Sequence, residues 1–331
     1  MSMTEKNLEQ LVSYFSEQSI SPATRLAYAS DWRQFCLFCG NNGLDFLPAT
    51  PETVCLYLAH LTTDRAISTI VRSITSIGHA HEQAGFDSPT KTNQVYDVLH
   101  GIKRTCGSPV NSRSPLSYSD LKKMMDCCGS SFIGIRDRSI LSLGWASALR
   151  RSELKNLNVS DLEFVEQGMI ITIRRSKTDQ DGQGRFIGIP RSGDKFCPVH
   201  ACEVWLRRQN DKIPSGDSPL YSSIGPHGVG RWFYTTGGRL SDRMISLTVK
   251  KYAKLAGLPS TKYSAHSLRR GLATEAGSRG VPERIIAAHT GHRSMTVLRG
   301  YIERGSIWEE NPLRVIYERP DSTSIPFSDT N

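Results

Sequence analysis

The sequence predicts a mainly α-helical protein with one small antiparallel β-sheet, split into an all-α N-terminal bundle and a mixed α/β C-terminal domain. Three observations carry that prediction. Apolar residues recur at helical spacing through the first third of the chain. A Gly-, Ser- and Pro-rich stretch, Thr105–Ser117 (TCGSPVNSRSPLS), then breaks the pattern as a linker does. Beyond it, helical patterns return but enclose three short apolar runs and a polar turn. At about 100–200 residues per domain, 331 residues make two domains.

In the N-terminal third, Leu8, Leu11, Val12 and Phe15 fall on one helical face, as do Tyr28, Trp32 and Phe35 further on. Thr50, Pro51 and Glu52 read as a helix start, with Thr50 as N-cap and Pro51 at the first helical position. Val54, Leu58 and Leu61 supply its buried stripe. Further helices are predicted over 68–84, closed by Gly85, and over 93–104. These form a domain over 1–106, followed by a linker over 107–117. In the second domain, 118–318, helices are predicted at 121–127, 133–149, 198–208, 241–255, 264–278, 282–288 and 294–302. Short strands are predicted at 164–165, 169–173 and 186–189, with Asp179–Gly184 as the turn before the last. Residues 319–331 read as a polar tail.

Composition narrows the function classes. No apolar run approaches the roughly 20 residues of a membrane span, and the first 30 residues lack a basic-then-apolar secretory layout, so a cytoplasmic protein is expected. The eight cysteines are too sparse for a disulfide scaffold and read as reduced thiols. Two groups suggest zinc: Cys36 with Cys39, and Cys197, His200 and Cys202. The first lies in an apolar helical pattern and the second lacks a fourth ligand, so no metal site is expected. The net charge of +9 is uneven. Residues 1–110 hold 8 Lys+Arg against 10 Asp+Glu, whereas 111–331 hold 33 against 22. A polyanion would therefore be gripped chiefly by the C-terminal two-thirds.

Five short motifs follow one another there. Arg150 and Glu153, three apart after an apolar helix, taken alone read as a surface ion pair. Lys177, at the end of a strand before a flexible turn, reads as solvated or as a proton donor on a flexible stem. His266 and Arg269 lie one helical turn apart. Thr290-Gly291-His292 and then Tyr301 complete the series. His289 and His292 resemble a metal pair, but no third ligand accompanies them. Arg150, Lys177, His266, Arg269 and His292 all donate charge or hydrogen bonds, and Tyr301 is the one obvious nucleophile downstream. Two arginines suit bidentate contact with phosphate oxygens and the charge of a pentacoordinate transition state. A tyrosine attacking phosphorus forms a covalent phosphotyrosine. The lysine would protonate the leaving 5′ oxygen, and the cationic side chains would take the electrostatic role of a metal.

The ordered set Arg…Lys…His-x-x-Arg…His…Tyr, with Leu149-Arg150-Arg151-Ser152-Glu153-Leu154, Gly291-His292 and a nine-residue step to Tyr301, resembles the tyrosine recombinase (phage integrase) family. The resemblance covers about 115–317. The N-terminal third is similar to Cre-type core-binding bundles at Thr24-Arg25, Trp32, Phe46-Leu47-Pro48 through Leu58, and the 68–85 helix. It implies that Arg150 and Arg269 hold the scissile phosphate, that Lys177 is the general acid, and that His266 handles protons. His292 would contact the phosphate or the tyrosine, Glu153 would orient Arg150, and Tyr301 would be the nucleophile. Ala148 departs from the family pattern, in which Gly is common there; Arg151 and Arg270 are extra cations. The resemblance also implies a C-shaped clamp on double-stranded DNA with inverted-repeat sites, and no cofactor. It further implies a homotetramer on a Holliday junction, formed from a monomer or weak dimer and acting in the bacterial nucleoid. The 309–318 segment would be a docking helix for a neighbouring protomer.

Candidate DNA contacts are Thr24, Arg25, Arg33, Ser68, Thr69 and Arg72 in the N-terminal domain. In the C-terminal domain they are Arg151, Arg239, Arg243, Lys250, Lys251, Lys254 and Arg270, most of them expected on phosphates. The leading reading is a site-specific DNA recombinase working through a 3′-phosphotyrosyl intermediate. Alternatives are a topoisomerase IB-like or telomere-resolving enzyme, a DNA-binding regulator without catalysis, and a helical protein-interaction module.

Overall fold

The computed structural model describes residues 8, 11–12, 14–15, 19–107, 113–174, 184–209, 217–224, 235–292 and 294–306. Lys177 and the 309–318 and 319–331 segments lie outside them. The chain divides into two compact units, Met1–Asn111 and Ser112–Asn331.

The first unit is helical. Helix α1 (Pro22–Asn42) starts where the Ser21 hydroxyl accepts the Thr24 N–H at 3.2 Å and stops at Gly43, in the left-handed region at φ +66°. Helix α2 (Pro51–Leu61) starts as its sequence predicts, the Thr50 hydroxyl accepting the Thr53 N–H at 3.3 Å. Helices α3 (Ile67–Gln83) and α4 (Asn93–Cys106) complete the bundle around Phe35, Val54, Leu58, Ile70, Ile77 and Val95. His81 is fully buried; its Nε2 accepts the Ala49 N–H and its Nδ1–H donates to the Ile77 carbonyl, both at 2.8 Å. Leu8, Val12 and Phe15 are helical as predicted, but 48–66% exposed. The core closes on α1–α4 without them.

In the second unit, α5 (Tyr118–Asp126) and α6 (Phe132–Ala146) are capped by Ser117 and Ser131. The helix predicted over 133–149 ends at Ala146 because Ala148 turns left-handed, at φ +49°. A six-residue helix, α7 (Arg151–Asn156), follows with Arg150 as its N-cap. Strands β1 (Leu162–Val165), β2 (Gly168–Ile173) and β3 (Arg185–Pro190) form an antiparallel sheet in that order, Ile171 pairing with both Leu162 and Ile187. Alternation on β3 turns Ile187 and Ile189 into a core shared with Ile140, Leu154 and Trp205, the last from α8 (Pro198–Gln209). A second sheet of β4 (Ser222–Ile224) and β5 (Thr235–Arg239) was not predicted; its residues carry no apolar alternation. Helices α9 (Asp242–Leu255), α10 (Ala265–Ser278), α11 (Glu283–Thr290) and α12 (Met295–Ser306) finish the unit.

Residues 113–116, assigned by composition to the linker, form an ordered strap on this unit. The Ser114 N–H donates to the Lys262 carbonyl and the Leu116 N–H to Ser267, each at 3.0 Å, and Trp145 Nε1–H donates to the Leu116 carbonyl at 2.9 Å. Cys39, Cys197 and Cys202 are buried in apolar cores, and among the described residues no His/Cys/Asp/Glu group is arranged for a metal. No described helix is long and apolar enough to cross a membrane.

Candidate active site

Four segments of the second unit converge on one cavity of about 720 Å³, lined by Arg150, His266, Arg269, His292 and Tyr301. The turn after α6 delivers Arg150. The first two turns of α10 carry His266 and Arg269, and the left-handed turn at Gly291 (φ +68°) ends α11 and presents His292. Tyr301 sits midway along α12, which packs closely on α10: a Cβ at Gly277 would come within 2.9 Å of Ile302.

Each cation is aimed by backbone or carboxylate oxygens. Arg150 Nη1 donates to Glu153 Oε1 at 2.7 Å, while the Arg150 N–H donates to the other oxygen at 2.9 Å. Glu153 is thus at once the helix cap and the clamp on the arginine. Arg150 Nη2 also reaches the Gly291 carbonyl at 3.3 Å. Arg269, 2% exposed, donates through Nη1 to the carbonyls of Ala148 (2.7 Å) and Thr290 (2.5 Å). The left-handed residue Ala148 therefore has a use: it turns a carbonyl onto Arg269. Desolvation, with Arg150 nearby, lowers the Arg269 pKa to about 10, which leaves it cationic at neutral pH.

Around the phenol, His266 Nε2 is 3.3 Å from Tyr301 Oη. His292 lies edge-on to the same ring, centroids 5.7 Å apart, and the Arg270 guanidinium sits 5.0 Å from its centroid. Desolvation followed by the charges of Arg270, Arg269 and Arg150 lowers the pKa of His266. Desolvation and the surrounding cations, Arg269 first, push His292 down to about 3. Both imidazoles are therefore neutral at pH 7, each with one ring nitrogen able to accept a hydrogen bond.

The structure brings together Arg150, Glu153, His266, Arg269, His292 and Tyr301; Lys177 lies outside the described residues. Three candidate DNA contacts already have partners within the protein. Arg270 is 2% exposed, held by the Arg113 carbonyl and the Tyr301 ring, so it backs Tyr301 from inside. Arg239 donates to the carbonyls of Lys155 and Leu157, both at 2.9 Å, and to Asn158 Oδ1, pinning the end of α7. Lys251 is half-exposed but pairs with buried Asp137 at 3.2 Å. Arg151 pairs with Asp242 at 3.3 Å beside Lys250 at the cavity wall, while Arg243 and Lys254 are exposed. In the first unit, Arg25, Arg33, Ser68 and Arg72 are exposed on α1 and α3, and Thr24 and Thr69 are half-buried. Arg72 is held in a bidentate pair with Asp31 at 2.6 and 2.9 Å.

Sequence reasoning missed Arg185 and Arg113, and quoted Thr290 only as part of the Thr290-Gly291-His292 motif. Arg185 donates to the His289 carbonyl at 2.7 Å and approaches Glu153 at 3.6 Å, making the carboxylate a bridge between two arginines. It arrives from β3, and only the fold places it beside Glu153. Arg113 lines the cavity from the strap.

The phage integrase family model matches residues 115–305, more than half of the chain, and takes in Arg150, Glu153, His266, Arg269, His292 and Tyr301. The chain belongs to the phage integrase family. It is a tyrosine-type site-specific recombinase. A XerD-homologous integrase/recombinase of Selenomonas ruminantium is 35% identical over 308 residues, spanning 92% of this chain and 88% of that protein. The tyrosine recombinase XerC of Syntrophus aciditrophicus is 30% identical over 186 residues, 56% of this chain and 53% of that one. Among solved structures, XerH bound to palindromic difH in a post-cleavage complex aligns with TM-score 0.58 at 18% identity, covering 79% of this chain and 73% of that one. A lambda integrase tetramer bound to a Holliday junction aligns with TM-score 0.57 at 18% identity, covering 75% of its chain. At that identity the structures establish a shared fold, mainly helical with small antiparallel sheets.

Proposed function

We propose that this recombinase cleaves and rejoins double-stranded DNA through a covalent 3′-phosphotyrosyl intermediate at Tyr301. The supporting observation is the phenol of Tyr301, 3.3 Å from a neutral imidazole in a cavity lined by two oriented arginines. Arg150 and Arg269 bind the non-bridging oxygens of the scissile phosphate and balance the charge that grows on them in the transition state. As the bond from Tyr301 Oη to phosphorus forms, the phenol proton passes to His266 Nε2. The bond from phosphorus to the 5′ oxygen breaks, and Lys177 supplies the proton that the leaving oxygen takes. Attack by a 5′-hydroxyl reverses the step, so the energy of the phosphodiester is kept for rejoining, and the scheme calls for no cofactor.

The partner is duplex DNA carrying inverted-repeat sites. Exchange passes through a Holliday junction within a homotetramer. The first unit, net acidic, meets DNA through the exposed Arg25, Arg33 and Arg72 on α1 and α3. The second contributes Arg151, Arg243, Lys250 and Lys254 to the phosphates beside the cavity.

The test uses a nicked suicide duplex carrying an inverted-repeat site selected from a random pool by binding. Wild-type protein should form a covalent adduct that vanishes in Tyr301→Phe. Tight, sequence-specific binding with no adduct would leave a regulator in place of an enzyme.

A further inference from the structure

Asp31 and Arg72 form a buttressed pair in the first unit that the cleavage chemistry does not use. Asp31 sits midway along α1 with its side chain 9% exposed, and Arg72 stands on α3 with its side chain 46% exposed. Arg72 donates through Nε–H to Oδ2 at 2.6 Å and through Nη2–H to Oδ1 at 2.9 Å. One turn further along α3, the Ser76 hydroxyl donates to the Tyr28 carbonyl at 2.8 Å and holds the two helices in register. The carboxylate thus takes the Nε/Nη2 edge of the planar fork. The Nη1/Nη2 edge stays available to an outside partner, in a plane that two packed helices set. With Ser30, Gln34 and Thr69, Arg72 borders a cavity of about 790 Å³, which leaves room for a ligand edge beside the pair.

We propose that Arg72 reads a guanine in the major groove of each half-site and that Asp31 is the positioning residue that orients it. The inference rests on the first unit binding duplex DNA, as in the proposed function, and names what one of its arginines recognises there. In the major groove guanine alone presents two acceptors, O6 and N7, side by side. Adenine and cytosine present an amino donor, and thymine one acceptor and a methyl group. Two parallel donors on one guanidinium edge therefore match guanine and no other base. The pairing with Asp31 also disfavours a phosphate as the target. The bound carboxylate offsets the charge of the arginine, and a phosphate approaching Arg72 meets that carboxylate as well. A neutral base edge meets directed donors and little net charge. Because the fork is set before DNA arrives, little side-chain freedom is lost on binding. The composition agrees: residues 1–110 hold 8 Lys+Arg against 10 Asp+Glu, so this unit gains little from bulk attraction and contributes discrimination instead.

The test takes the full-length chain and the site it selects from a random duplex pool, replaces each base pair of that site singly, and measures binding by competition. For wild type, one G·C pair in each half-site should be preferred over its replacements by about 5–150-fold, the range for a bidentate arginine–guanine contact. Arg72→Lys keeps the charge but not the fork, so it should lose that preference while holding non-specific duplex as wild type does. Asp31→Asn removes one acceptor and a negative charge. Its preference at the same pair should fall, with binding to non-specific duplex no weaker. A pair that merely staples two helices would alter melting and leave the base preferences as they are. The proposal is overturned by an Arg72→Lys protein that keeps the wild-type preferences or weakens evenly on all sequences. A folded Asp31→Asn protein with full discrimination at that pair overturns it too, as does a wild type without preference for any G·C pair. If Asp31→Asn does not melt cooperatively, the Arg72→Lys profile decides by itself. Absence of adduct on the suicide duplex, with the preference at the G·C pair intact, would sink the phosphotyrosyl reading and leave the guanine contact standing.

Discussion

Ala148 shows how one backbone angle serves the site. A non-glycine residue in the left-handed region costs about 1–2 kcal/mol, yet this turn aims the Ala148 carbonyl at Arg269. Ala148→Gly relieves the strain but loses a buried methyl, worth about 0.8 kcal/mol, and adds unfolded-state freedom worth about 0.4–1 kcal/mol. These terms nearly cancel, so thermal denaturation of Ala148→Gly should match wild type to within about 1 kcal/mol. Ala148→Val adds a branched side chain to the same angle in a fully buried slot, and should cost about 2 kcal/mol or more along with most of the cleavage rate. A stable, active Ala148→Val would contradict the role given to this turn. The histidines make a second prediction. His266, His289 and His292 all have lowered pKa values in the fold, His292 to about 3. Near pH 6.5 and below, the unfolded chain takes up protons on these residues that the folded chain does not bind. Their contribution to stability is therefore present above about pH 6.5 and is lost as the pH falls toward 3. Melting curves between pH 7.5 and 5 should show a declining Tm, with a shallower slope in His292→Gln; parallel slopes would remove His292 as a source.

Among the elements, α10 does the most: it presents His266 and Arg269 on one side and receives the strap on another. At Gly271 the strap passes so close that a Cβ would lie 2.0 Å from the Leu116 carbonyl and 2.7 Å from Trp145 Nε1. Gly271→Ala must push the strap away, and should lower stability in chemical denaturation by about 1–3 kcal/mol, as overpacking does. A neutral effect would mean the strap yields freely. The helices and the three-stranded sheet were legible in the sequence because periodicity, caps and turn chemistry are local signals. Thr50-Pro51 marked the start of α2, and the Ile187/Ile189 alternation marked β3. The helix end at Ala146 was not legible, since nothing local forces an alanine into the left-handed region; the Arg269 partnership lies 121 residues away. The β4–β5 pair escaped for want of apolar alternation. In the site, residue types in order named Arg150, His266, Arg269, His292 and Tyr301. Arg185 and Thr290 act through contacts that only the fold creates, and Arg270 and Arg239 read as surface cations because burial is invisible in a charge count.

Across the whole chain, the proposed function divides the work of binding between an acidic first unit and a basic second unit. In the proposed scheme cleavage chemistry and bulk attraction both fall to the second, so salt should weaken that unit's hold on DNA the more steeply. Assembly is a separate property. The 309–318 segment, read as a docking helix through Leu313, Val315 and Ile316, belongs to the tetramer in this scheme. Deleting residues 309–331 should weaken synapsis of two sites in a gel-shift assay far more than binding to a single site. Equal loss of both would place the segment on its own subunit instead.

The strap also decides where this protein comes apart. Cutting at the composition boundary, so that a C-terminal fragment starts at Tyr118, would discard the hydrogen bonds from residues 113–116 to Lys262, Ser267, Trp145 and Arg270. The Arg270 guanidinium behind Tyr301 would lose its carbonyl partner, although every motif residue remained. A separable catalytic fragment therefore begins no later than Arg113. A two-piece version of the recombinase, its halves expressed apart and combined on DNA, has its seam just upstream, at the 111/112 division between the units.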